Sequence, residues 1–113
     1  MTIQELQKLI IDFRNERDWE QFHNPKDLAS AIAIESWELM EHFLRKSQAD
    51  SYDLVKNNED VEEEFADIMN FLLLFADAAH IDIEKAVKNK IEKSAKKYPI
   101  EKAKWNSTKY NKL

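Results

Sequence analysis

Ala31-Ile32-Ala33-Ile34-Glu35-Ser36-Trp37-Glu38-Leu39-Met40 and Glu64-Phe65-Ala66-Asp67-Ile68-Met69 decide how this chain is read. Around the first stretch, Leu28, Ile32, Leu39 and Phe43 recur at helical spacing as an apolar stripe, and Glu35 falls in register with it. Around the second, Val61, Ile68, Phe71 and Phe75 form another stripe, with Glu64 in register. Glu35/Glu38 and Glu64/Asp67 are both i, i+3 pairs, so the members of each pair share one helix face. An unpaired carboxylate among apolar side chains is costly. Four placed together need cations, and hard divalent metals take oxygen ligands. The competing reading is two ordinary acidic helix faces. The duplication on two helices and the clash with the stripes favour a metal centre, and with it chemistry on a phosphate.

Working outward, the whole chain reads as all-α, a four-helix bundle-like protomer. Ile3, Leu6, Ile10 and Phe13 share a helical face, with Thr2 as N-cap and Glu5 completing a capping box. Arg14 to Asn24 reads as a connection. Asn24-Pro25 starts a second helix predicted to run to about Lys46, because Asn caps and Pro suits the first turn. Ser47 to Ser51 reads as a polar linker. A third helix starts between Tyr52 and Asp60 and ends near His80. Asp82 caps a fourth, with Ile83, Val87, Ile91 and Tyr98 on one face and Pro99 as its stop. Residues 100–113 read as a polar tail.

Composition narrows the function. At 113 residues the chain is expected to be one domain, and 43% hydrophobic with 35% charged residues is a globular balance. With no Gly, glycine-rich phosphate loops and dinucleotide fingerprints are excluded, so a phosphate site must use metal and side chains. With no Cys, disulfides and thiolate metal sites are excluded, which suits a reducing, cytoplasmic location. The net charge of −5 argues against a nucleic-acid polymer as partner. The longest apolar run, residues 68–79, is too short to span a membrane and is broken by Asn70 and Asp77, and no signal segment is visible.

Charge is polarised along the chain. Lysines crowd the fourth helix and the tail, whereas acids concentrate from Asp50 to Asp67. Lys90, Ser94 and Lys97 at i, i+4, i+7 can point together at a phosphate tail; the alternative is a solvated lysine face. Trp19 and Phe22, beside Arg14, Arg17 and His23, either stack on a base or cover the core. Glu41, Glu62 and Glu63 are expected to be exposed, and Trp37 to point into a helix contact. A di-iron centre is also spelled out weakly: Glu20-Gln21-Phe22-His23 and Asp77-Ala78-Ala79-His80 have the Glu-x-x-His form used in helical bundles. Neither His is in step with the carboxylate pairs, so an all-oxygen, non-redox site is favoured.

Glu35-x-x-Glu38, a spacer over 39–63, then Glu64-x-x-Asp67 resembles the signature of the all-α nucleoside triphosphate pyrophosphohydrolases, the MazG-like superfamily. Glu16-Arg17-Asp18-Trp19-Glu20-Gln21-Phe22-His23, Lys97-Tyr98-Pro99 and Lys109-Tyr110 look like the matching stretches of its dCTP pyrophosphatase branch. The resemblance implies that Glu35, Glu38, Glu64 and Asp67 are catalytic and bind Mg²⁺. It implies that the α–β phosphoanhydride of a nucleoside triphosphate is cleaved to monophosphate and pyrophosphate, a housecleaning of the nucleotide pool. It places Lys90 on the phosphates, Trp19 against the base, and the protein in a homodimer or homotetramer. Four positions depart from the pattern of dCTP pyrophosphatases. Ile10 stands for a His found in animal members, Arg45 for a base-stacking Trp, Phe71 for a Tyr and Ser94 for an Asn, which leaves the preferred base open. Two other expectations stand beside this one: a non-catalytic helical oligomer or adaptor with a structural metal, and a phosphoribosyl-nucleotide pyrophosphohydrolase.

Overall fold

A computed structural model describes residues 1–112 of the chain. Among these residues the fold is all-α, with no strand. The helices are α1 (Ile3–Glu16), α2 (Pro25–Glu41), α3 (Gln48–Leu54), α4 (Glu59–Ala78), α5 (Ile83–Lys97) and α6 (Ile100–Ala103), with 3₁₀ turns at Glu20–Phe22 and Tyr110–Lys112. They fall into two compact units, residues 1–80 and 81–113.

Short polar side chains start most of these helices, each accepting a bond from an otherwise unsatisfied first-turn N–H. Thr2 accepts from Glu5, Asn24 from Asp27, Asn58 from Val61 and Asp82 from Lys85. The helix ends are less ordinary. With no glycine available, Asp18, Arg45, Asn57, His80 and Trp105 take the left-handed conformation, with φ between 49° and 65°. Four of the five lie within three residues of the end of α1, α3, α4 or α6. Such helix stops are usually glycine, because a Cβ is crowded there.

Three sequence-based boundaries are corrected. α1 continues to Glu16, into the expected connection, because Arg14 turns inward and pairs with Asp77 across the unit. α2 ends at Glu41 rather than Lys46. His42, Phe43 and Leu44 tighten into i→i−3 bonds, and Arg45 reverses the backbone. The apolar pattern of Phe43 and Leu44 concealed that stop. Ser47–Ser51 is no linker: Ser47 and Asp50 form a reciprocal capping box that opens α3. The tail likewise carries α6 and a terminal 3₁₀ turn. At Thr2 only the cap half of the expected box forms, Thr2 Oγ1 accepting from Glu5 N–H at 3.1 Å.

In the first unit, α4 is the central element, packed most extensively on α2 and also on α1. Leu28, Leu73, Leu74 and Ala76 form its buried centre. Gln7 Nε2 donates to the Leu73 carbonyl at 3.0 Å and ties α1 to α4. Arg14 is 4% exposed and donates to Asp77 Oδ2 at 3.0 Å. In the second unit the apolar face of α5 is left largely uncovered, with Val87 and Ile91 exposed. Trp37 is 57% exposed and does not enter the helix contact expected for it. No helix is long and apolar enough to cross a membrane among the described residues.

Candidate metal centre and adjoining cavity

The packing of α2 on α4 brings the two carboxylate pairs face to face. One oxygen each from Glu35, Glu64 and Asp67 lies within 4.8 Å of the others. Glu35 and Glu64 are half-buried, and Asp67 is exposed. Glu38 is half-buried and within hydrogen-bonding reach of both Glu35 and Glu64. Every member of this group is an acceptor when ionised, and the Oε2 atoms of Glu35 and Glu64 are buried with no donor. Buried oxygens in that position call for a cation or a proton.

The electrostatics say the same. Burial pushes the Glu35 carboxyl up to about 7, reinforced by its hydrogen bond to Glu38 and the charges of Glu38 and Asp67. Burial also raises Glu64, with the Glu38 charge adding to it and His42 opposing. His42 was not singled out in the sequence, yet its Nε2 lies 3.9 Å from Glu64 Oε1. It follows α2 directly and sits one turn past Glu38, a spacing that could have flagged it. Two or three carboxylates that hold each other partly protonated form a site for a hard divalent cation, whose charge would remove the mutual repulsion. His23 and His80 are not part of this cluster, so the oxygen-rich reading stands over the di-iron spelling.

A cavity of about 700 Å³ opens on the other side of Asp67. Leu6, Leu9, Ile10 and Phe13 of α1 face it, as do Phe65, Met69 and Phe71 of α4, with Trp19 and His23 from the connection. The apolar face read on α1 thus lines a hollow through Leu6, Ile10 and Phe13. Trp19 stands edge-on to Phe13, with ring centroids 5.8 Å apart, and His23 is edge-on to Trp19 at 6.5 Å. Phe22, the other aromatic of that stretch, is exposed. Glu41, Glu62 and Glu63 are exposed as expected.

The remaining sequence-predicted residues lie in the second unit. Lys90 and Ser94 line a separate hollow of about 620 Å³ on α5 with Val87, Ile91 and Tyr98. Lys97 departs from them, its Nζ lying 4.7 Å from the centre of the Tyr110 ring.

The MazG-like family profile matches residues 30–113, a span that includes all four carboxylates. The chain belongs to the MazG-like family. This MazG-like chain is 33% identical to rat dCTP pyrophosphatase 1 over 115 residues, covering 99% of its own length and 68% of the rat protein. The human protein of the same name is 31% identical over the same shares. Among solved structures, a pyrophosphatase from Archaeoglobus fulgidus DSM 4304 matches with a TM-score of 0.79 and 40% identity, covering 85% of this chain and 91% of that one. The MazG-like fold therefore carries an acidic cluster suited to a metal ion and, against it, an aromatic-lined cavity.

Proposed function

We propose that this MazG-like protein is a Mg²⁺-dependent nucleoside triphosphate pyrophosphohydrolase that cleaves the α–β phosphoanhydride, with dCTP or a related or modified deoxynucleotide as substrate. The observation that carries this is the pair of buried, donorless oxygens on Glu35 and Glu64, drawn together with Asp67. Glu35, Glu38, Glu64 and Asp67 would hold the metal, whose chemistry is to polarise phosphoryl oxygens and lower the pKa of a bound water. The residues fit a hard ion, since all the donors are carboxylate oxygens.

The chain's own residues take the following roles in this reading. The four acids would hold the ion that positions the triphosphate and a water relative to each other. Attack of that water on phosphorus would break the α–β bond, with pyrophosphate leaving the nucleoside monophosphate. His42 Nε2 stands 3.9 Å from Glu64 Oε1 at the edge of the acids. Trp19 and Phe71 line the cavity that Asp67 shares, and offer flat faces to the base. Lys90 and Ser94 are assigned to the phosphate tail. Lys97 shares that assignment less fully, because its ammonium lies over Tyr110.

Assembly as a homodimer or homotetramer belongs to the same reading. Ile34, Trp37, Phe65 and Leu72 on α2 and α4 are exposed, apolar surface that a second copy would cover. The test is pyrophosphate release across natural and modified nucleoside triphosphates, with and without Mg²⁺. Metal-dependent release from deoxynucleotides is expected. Mg²⁺-dependent melting with no release from any nucleotide would instead favour a structural metal in a non-catalytic oligomer.

A further inference from the structure

The cavity beside Asp67 holds few polar side chains, and their state bears on which base it accepts. Asn70, on α4 three residues beyond Asp67, lines it and is half-buried. Its amide makes no side-chain hydrogen bond among the described residues, so nothing fixes which end presents oxygen and which presents nitrogen. His23 Nδ1, also on the cavity wall, is buried without a partner. Burial and the Arg14 charge lower the His23 pKa, so the ring is neutral at pH 7 and free to take either tautomer. Arg14 also lines the cavity, but its Nη1 is committed to Asp77 and its Nε to Asn15.

We propose that Asn70 is the base-reading residue of this cavity, and that its unfixed amide accepts a 4-amino and a 4-oxo pyrimidine alike. This rests on the pyrophosphohydrolase reading above. Cytosine offers an N4–H donor beside the N3 acceptor; uracil offers the O4 acceptor beside an N3–H donor. An amide meets the first with oxygen on N4 and nitrogen on N3, and the second after a half-turn about its last bond. Strong rejection of one partner needs a buried donor or acceptor held in place, so that the wrong base leaves it unpaired. Neither Asn70 nor His23 is held so. The substrate class is thus a deoxycytidine triphosphate together with its deaminated counterpart.

Steady-state pyrophosphate release from dCTP and dUTP, at fixed Mg²⁺, tests this. We expect the two kcat/KM values to agree within about tenfold. Asn70→Leu, similar in volume, should lower both together by about tenfold or more, the loss of one to two buried hydrogen bonds. Circular dichroism and Mg²⁺ titration should be unchanged. A preference above about 100-fold for either nucleotide overturns the proposal; a preference for dUTP would point to Arg14 as a fixed donor. So does an Asn70→Leu enzyme with unaltered kcat/KM. If no nucleotide yields pyrophosphate, the underlying reading fails instead. Calorimetric titration with dCMP and dUMP then decides the cavity on its own: equal binding, weakened equally by Asn70→Leu, supports it, and unequal or unchanged binding overturns it.

Discussion

Glu35, Glu64 and Asp67, with Glu38 beside them, make the carboxylate centre, whereas the cavity lined by Asp67 draws its walls from α1, the 19–23 turn and α4. The first gathers like charges that destabilise one another and suit a cation. The second gathers apolar and aromatic surface that suits a flat, uncharged group. The centre is repetitive and local, an i, i+3 pair used twice. The cavity is assembled from residues as far apart as Leu6 and Leu74. The proposed function divides the labour accordingly, assigning turnover to the centre and affinity to the cavity.

Four measurements break or sharpen that division. Glu35→Gln removes a charge from the middle of the centre. It should lower kcat by more than the roughly 10–100-fold typical of losing an outer-shell partner of a metal ligand. Circular dichroism should report intact helices. A kcat within a few-fold of wild type would remove Glu35 from the chemistry.

Asp77→Ala acts on the cavity wall through Arg14. It leaves a guanidinium buried and uncompensated, which for a fully buried pair costs about 3–5 kcal/mol. Asp77 is itself 39% exposed on its side chain, so about 2–3 kcal/mol is expected. Urea unfolding measures it, and an unchanged midpoint would mean that water replaces the carboxylate.

Trp19→Ala removes a stacking face. At about 1–3 kcal/mol per stacked base, KM should rise roughly tenfold while kcat stays within a few-fold. A fall in kcat with KM unchanged would reverse the roles assigned to the two regions.

The smallest effect is a pH dependence of melting in the metal-free protein. Glu35 stands at about 7 in the fold against 4.5 for an ordinary glutamate. Its raised value contributes stability that is complete below pH 4.5 and is lost as pH rises through 7. The melting temperature in chelator should therefore be lower at pH 8 than at pH 5.5, and Glu35→Gln should flatten the difference. Added Mg²⁺ should stabilise more at pH 8, where the ligands are ionised. Equal melting at both pH values would show that Glu35 is not held protonated by its neighbours.

The contrast also explains what could be read from the sequence. The carboxylate pairs were legible because helical spacing is local, and Asn24 and Asp82 announced their helices by capping chemistry, whereas the Asn58 cap of α4 went unread. The boundary errors came from the same source. Phe43 and Leu44 continue an apolar pattern past the point where Arg45 turns the chain, and no glycine marks the stop. Ser47 and Asp50 looked like linker residues because α3 carries little apolar surface to betray it. The cavity was less legible, since Arg14 meets Asp77 across 63 positions and no local pattern announces that pair. Asn70 acquires meaning only once α1 lies against α4.

Asp67 carries a last consequence, because it belongs to the acidic cluster and also lines the cavity. An oxygen chelator aimed at the acids and a flat ring aimed at Trp19 would be neighbours at that residue without competing for space. Joined by a short linker, two weak fragments would behave as one inhibitor, because the second finds its site at an effective concentration in the millimolar range. Chelation alone would give a compound indifferent to the protein that carries the metal. The ring, seated among Ile10, Phe71 and Asn70, is the part through which such a compound could tell this enzyme from its relatives.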